Sequence, residues 1–283
     1  MTKLSAELLL ERETRISYGP VPDRLLDRPL DPMNWQMQPG RFLLRAEGDH
    51  YFFYRPGQGV TIHRGADADV SEESLWLNGT VYAAIASMNG LLPIHASAIA
   101  SEGKVFAFTG PAGAGKSTIV AALGRYGLPM FCDDTLVLDL SDPDRIMCLP
   151  GHKRLKLRED AFDLSGAERE EKVSRTYDKY YAAPAAGTVG AALPIAELIF
   201  LEEGASPCIT RISGSERFVK MHDNHQTSWL FEAANPFDRS EQFTHRARLA
   251  QQIEMARFER PCEAARFDDG ISLMADHVRR RQR

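Results

Sequence analysis

The 283-residue chain is short of cysteine, of long apolar runs and of surplus positive charge. Its four cysteines, Cys132, Cys148, Cys208 and Cys262, show no C-x-x-C spacing. That argues against a disulfide framework and a cysteine zinc site, and for a reducing compartment. His222, His225 and His245 lack the i, i+4 spacing of a helical metal site. No stretch is long and apolar enough to cross a bilayer, and the Leu8-Leu9-Leu10 run sits among charges, unlike a secretory signal. The expectation is a cytoplasmic protein without a membrane partner. The net charge of −5 speaks against a nucleic-acid partner, and the basic run Arg279-Arg280-Arg281-Gln282-Arg283 reads as a solvated tail. Internal repeats and low-complexity stretches are also lacking. Hydrophobic residues make up 43% of the chain, ample for one large domain or two smaller ones.

Against this background one segment stands out. Gly110-Pro111-Ala112-Gly113-Ala114-Gly115-Lys116-Ser117-Thr118 fits the phosphate-loop pattern G-x-x-x-x-G-K-[ST] without a mismatch. Its glycines allow positive φ, so that backbone N–H groups turn inward around an anion. Lys116 brings charge to the β/γ-phosphates of a nucleotide, Ser117 offers a hydroxyl to Mg²⁺, and the following helix points its positive end at the phosphate. Before the loop, Lys104 to Thr109 has the apolar, β-branched and aromatic character of a buried strand; after it, Ser117 to Tyr126 has the pattern of a helix closed by Gly127.

The remainder divides into an N-terminal α+β module over 1–90 and a catalytic domain over 91–283. Residues 17–39, rich in Pro and Asp, predict irregular structure, followed by strands at 41–46, 51–54 and 60–63. A helix opens near Ser71 and carries Leu75, Leu77, Val81, Ile85 and Met88 inward. Leu92 to Ala100 predicts a strand that Ser101-Glu102-Gly103 turns directly into the phosphate-loop strand, an antiparallel entry. Further strands are expected at 130–140, 195–201, 208–212 and 264–267, a long helix over 237–258, and a closing helix over 271–280. Trp76 and Trp229 are expected in the core or at a domain contact.

The second chemical element is the doublet Asp133-Asp134, one helix and one turn beyond Lys116. Placed at or near the start of a strand beside the loop strand, neighbouring carboxylates point to opposite faces. One then serves Mg²⁺, directly or through water, and the other faces an acceptor hydroxyl as base, the division that phosphoryl transfer needs. Ser117, Asp133 and Asp134 are the candidate metal residues. Arg154, Lys156 and Arg158 alternate along an extended segment, so their cations share a face toward phosphates or an acceptor carboxylate, with Arg154 foremost. Lys179, in a loop-like stretch, is a candidate for contact with substrate.

The run Ile94-His95-Ala96-Ser97-Ala98-Ile99-Ala100, the hairpin, the loop and the acidic doublet together resemble the catalytic domain of HPr kinase/phosphorylase. The resemblance spans Leu92 to about Leu140. It implies an α/β fold, a P-loop kinase core with a mixed sheet and helices, and for His95 a role either in orienting a catalytic Asp or in touching the transferred phosphate. Thr118 stands where the bifunctional enzymes of that family have Glu. The segment Pro150-Gly151-His152-Lys153-Arg154-Leu155-Lys156-Leu157 brings the chain closer to the HPr-kinase-like proteins of lasso-peptide biosynthesis. That likeness implies an ATP- and Mg²⁺-dependent kinase acting on the C-terminal serine hydroxyl of a precursor peptide. Phosphorylation of HPr or another carrier protein, and a non-catalytic ATP-binding regulatory module, are the alternatives. The partner is then a peptide or small protein with an acceptor serine; self-association is left open.

Overall fold

A computed structural model describes residues 5–27, 35–221, 226–236, 238–261 and 263–281. The N-terminal part opens with helix α1 (Ala6–Glu13), followed by strands β1 (Ile16–Tyr18), β2 (Trp35–Gln38), β3 (Arg41–Ala46), β4 (His50–Arg55) and β5 (Gly59–His63). These form one sheet in the order β1-β5-β4-β3-β2. Residues 17–39 therefore hold parts of two edge strands that their Pro/Asp content hides. The helix expected after Ser71 comes in pieces: α2 (Glu73–Trp76), a π-helical turn over Leu77–Val81 and α3 (Tyr82–Met88). Gly79, at φ −109° and ψ −106°, leaves the helical path inside that turn. Phe42, Phe52, Tyr54 and Ile85 pack with Val137, Leu149 and Leu230, so the apolar core of the first ninety residues is completed by side chains from the rest of the chain.

The second part is α/β with a mixed sheet. Its elements are β6 (Leu92–Ser101), β7 (Lys104–Thr109), α4 (Lys116–Leu123), β8 (Met130–Cys132), β9 (Thr135–Asp139), β10 (Met147–Leu149), β11 (Leu155–Leu157), α5 (Glu159–Ser165), β12 (Arg169–Lys172), β13 (Tyr180–Ala182), β14 (Leu193–Glu203), β15 (Cys208–Arg211), α6 (Ser215–Lys220), α7 (Gln226–Ala234), α8 (Arg239–Gln252), β16 (Met255–Arg260) and α9 (Phe267–Arg280). Eight strands make the large sheet, in the order β10-β9-β6-β7-β14-β16-β15 with β8 also on β6. β7, β14 and β16 run parallel, while β6 enters β7 antiparallel through the expected hairpin.

β7 is apolar from Val105 to Phe108 because both its faces are covered there. Phe106 and Phe108 face a cluster with Ile119, Phe258 and Ile271; Val105 and Ala107 face another with Leu249, Ile253 and Met255. A small sheet, β11-β13-β12, lies apart from the large one. No helix among the described residues is long and apolar enough to cross a membrane.

Three expectations need correction. The helix drawn over 237–258 ends at Gln252, and Met255–Arg260 is β16; parallel pairing with β14 takes over where the sequence still carries a helix-compatible pattern (Phe237 lies outside the described residues). Residues 264–266 form a 3-10 turn leading into α9, not a strand. The basic C-terminal run is not simply a solvated tail. Arg279 donates to the Tyr126 carbonyl, and Arg281, with His277, holds the buried Glu197 carboxylate at 2.9 and 2.6 Å. Trp229 is exposed. His222, His225 and Cys262 lie outside the described residues.

Candidate active site

The phosphate loop leaves the carboxyl end of β7 and feeds α4, whose N-cap is Gly115 in the left-handed region at φ +81°. A Cβ on Gly115 would come within 2.8 Å of the Arg260 guanidinium, and one on Gly110, at φ +150°, within 3.1 Å of the Leu201 carbonyl. The backbone conformation requires glycine at both places, and at Gly110 the close approach of the Leu201 backbone adds to it. Lys116 Nζ donates to the carbonyls of Gly110 and Pro111 at 2.9 and 3.1 Å. From Ala112 to Thr118 the loop lines a cleft of about 600 Å³.

The acidic doublet lies against this loop. The expected strand over 130–140 is broken there, because β8 and β9 both pair with β6, Cys132 opposite Ala98 and Thr135 opposite His95, with only Asp133 and Asp134 between them. Asp134 takes φ +71°, a conformation rare outside glycine, better tolerated by Asp than by most residues and frequent at functional sites. This kink, not the alternation of an unbroken strand, separates the two carboxylates.

Asp133 is wholly buried. Its Oδ1 accepts from Ser97 Oγ at 2.6 Å and from Ser117 Oγ at 2.7 Å, and its Oδ2 accepts from the Lys156 backbone N–H at 3.0 Å. The expectation gave one carboxylate of the doublet to Mg²⁺, directly or through water; the geometry sets Asp133 behind Ser117, accepting from its hydroxyl. It fixes the loop hydroxyl, and because Ser117 donates to it, the serine oxygen keeps its lone pairs for a cation in the cleft.

Asp134 faces the cleft, its side chain 32% exposed. Lys156 Nζ donates to its Oδ2 at 2.7 Å, and His95 Nδ1 lies 3.5 Å from its Oδ1. His95 Nδ1 also lies 3.0 Å from the Asp134 carbonyl, which can only accept, so Nδ1 carries the hydrogen. Burial alone would raise the Asp134 carboxyl; the Lys156 ammonium, with His95 and Lys179 adding to it, outweighs burial and holds the group far below the usual carboxylate range. Burial likewise opposes the Lys156 charge, but Asp134 and Asp133 prevail and its ammonium is held more firmly than a free lysine's.

Of the remaining candidates, Lys179 lines the cleft with Lys156 and Arg158. Arg154 does not join them. Its guanidinium binds Glu170 at 2.5 Å and Glu171 at 2.7 Å and stacks on Tyr181 at 3.9 Å. The expected shared face fails because Arg154 precedes β11, so strand alternation does not govern it. Three contributors escape the sequence reading. Ser97 sits two residues beyond His95 and reaches Asp133 as His95 reaches Asp134, a period-two signal open to a reader who already knows the partner. Arg260 closes β16 and donates to the Ala114 carbonyl of the loop. Gly79 would place a Cβ 3.5 Å from Asp134 Oδ2. Nothing local in sequence marks these last two.

Burial and the neighbouring Lys156 lower His152 to about 4, and burial also lowers His245. The unfolded chain, with ordinary histidines near 6.5, then binds more protons than the folded one between about pH 6.5 and 4. Their contribution to stability is complete above that window and is lost as pH falls through it. The melting temperature should drop progressively from pH 6.5 to 4, and His152→Gln should flatten the slope; a melting temperature independent of pH over that range contradicts the assignment.

No protein-family model matches the chain, and no curated protein matches it. Among solved structures it is similar to the Hpr(Ser) kinase/phosphatase from Coxiella burnetii, with a TM-score of 0.35 and 14% identity over 66% of this chain and 88% of that one. A likeness this loose says nothing about activity, so function has to come from the cleft itself.

Proposed function

We propose that the chain is an ATP- and Mg²⁺-dependent kinase that phosphorylates a seryl hydroxyl of a peptide, the C-terminal serine of a lasso-peptide precursor being the acceptor class. One observation carries the reading: the acidic doublet is split between the phosphate loop and the open cleft. Asp133 is hydrogen-bonded to Ser117, while Asp134, paired with Lys156, faces the space above the loop.

The loop amides and Lys116 hold the β/γ-phosphates in this reading. Ser117, steadied by Asp133, would ligate Mg²⁺, which when bound neutralises charge on the phosphates. Asp134 accepts a hydrogen bond from the acceptor hydroxyl, aligns it for in-line attack and receives its proton. So acidic a carboxylate suits this chemistry, because a loose transition state demands little deprotonation before bond breaking and gains most from positioning. Lys156 keeps Asp134 ionised and lines the same cleft, where its charge would offset charge developing on the transferred group.

Lys116→Ala tests the reading. With a peptide ending in serine and labelled ATP, transfer should fall at least ~10²-fold while the circular dichroism spectrum is retained. Full activity in the variant removes the mechanism. Labelling of purified HPr but not of the peptide would move the acceptor to a carrier protein, and tight ATP binding with no labelled acceptor would favour a regulatory module.

A further inference from the structure

The cations around the cleft are not equivalent. Lys116 is engaged by the loop carbonyls, Lys156 by Asp134 and Arg260 by Ala114. Arg158 is the N-cap residue of α5, which packs on α4, and so belongs to the side of the phosphate-loop helix. Lys179 lies elsewhere. It closes the loop from Val173, whose N–H donates to the Lys179 carbonyl at 2.9 Å, and its Nζ lies 5.6 Å from the Tyr177 ring centre.

That loop is pinned to the N-terminal part. Thr176 Oγ1 donates to Glu72 at 2.8 Å, and Arg175 pairs with Asp69 at 3.2 Å. Glu72 also accepts from Trp76 Nε1 at 3.3 Å. One arm of the cleft is thereby built from Trp76 at the end of α2 and Gly79 in the π-helical turn after it, facing Tyr177 and Lys179 of the loop. Asp134 lies at its base, 3.5 Å from where a Cβ on Gly79 would be, and within reach of the Lys179 charge. The arm offers an acceptor a carboxylate for its hydroxyl, a half-buried cation beside it and aromatic walls. The chemical complement is a hydroxyl flanked by an anion.

We propose that Lys179 is the specificity-determining residue of the acceptor arm and binds a carboxylate adjacent to the attacking hydroxyl, the free α-carboxylate of a C-terminal serine. The inference rests on the kinase reading above and adds the reason why a terminal serine is preferred over an internal one. Lys156 is already paired with Asp134, so Lys179 is the cation left to offset the repulsion between Asp134 and an acceptor carboxylate.

The test uses the full chain, ATP and three versions of one peptide: ending in serine with a free carboxylate, ending in serine amide, and carrying the serine before a C-terminal aspartate amide. The free acid should exceed the amide in kcat/KM by about 10–100-fold, the range of a charged hydrogen bond, mainly through KM. Lys179→Met should collapse that ratio to near one, and Lys179→Arg should restore most of it. Equal rates on acid and amide with the unaltered chain overturn the proposal and leave the kinase standing. Equal rates on the free acid and the aspartate peptide show that a side-chain carboxylate serves as well, which overturns the terminal assignment. Phosphorylation of none of the three removes the peptide-serine acceptor and this inference with it, whether or not a carrier protein is labelled.

Discussion

Asp134→Asn should bind ATP with near-normal affinity and transfer phosphate roughly 10²–10⁴-fold more slowly, the usual contribution of a positioned proton acceptor. Asparagine is the informative replacement. It keeps the size of the side chain and tolerates the left-handed backbone at φ +71°, whereas alanine would add strain at the kink. Its amide oxygen can still accept from Lys156, so the ammonium is not left without a partner. What is lost is the negative charge that receives the hydroxyl proton. Steady-state phosphorylation of the serine peptide, with a fluorescent-nucleotide titration in parallel, separates the two effects. An undiminished rate would show that Asp134 takes no part in the transfer.

Asp133→Ala should act on the fold first. The residue has no exposed surface, and its removal leaves Ser97 Oγ, Ser117 Oγ and the Lys156 N–H without their acceptor in the interior. Abandoned buried donors cost 1–3 kcal/mol each and breaking a buried charged network about 3–5 kcal/mol, so a loss of about 3–5 kcal/mol is expected. For a chain of this size that is a fall in melting temperature of roughly 10 °C, measurable by calorimetry.

Asp133→Asn distinguishes support from chemistry. The two hydroxyls can rotate to accept from the new amide group, but the rigid backbone N–H of Lys156 cannot, so the amide oxygen turns to Lys156. Stability should then recover largely, while Ser117 is held in the reverse sense, with its hydrogen pointed into the cleft where a cation would bind. Restored melting temperature with lowered transfer is the expected pattern. Restored activity would show that Asp133 serves stability alone.

Much of this was legible without coordinates. The phosphate loop announces itself because the geometry of an anion cradle demands glycine, lysine and a hydroxyl at fixed spacing, and the hairpin feeding it is marked by Ser101-Glu102-Gly103 between two apolar runs. The doublet was legible as chemistry but not as geometry. Strand alternation predicts opposite faces, whereas the chain breaks its strand at Asp134 and sends one carboxylate inward to Ser117 and the other into the cleft. Arg154 and Lys156 looked alike because alternation was extended past the end of a three-residue strand. In the folded chain Glu170 and Glu171 claim the arginine and Asp134 claims the lysine.

The sequence by itself determined the phosphate cradle, the mixed α/β character and the presence of an acidic pair close behind the loop, because each is written in local spacing and short-range backbone preference. Tertiary structure alone decided which carboxylate is buried, which cation meets it, and that Arg260 and Gly79 stand around the same cleft as Lys179. Those relations join residues far apart in the chain, and long-range pairing is set by the packing of whole elements, which local pattern does not encode.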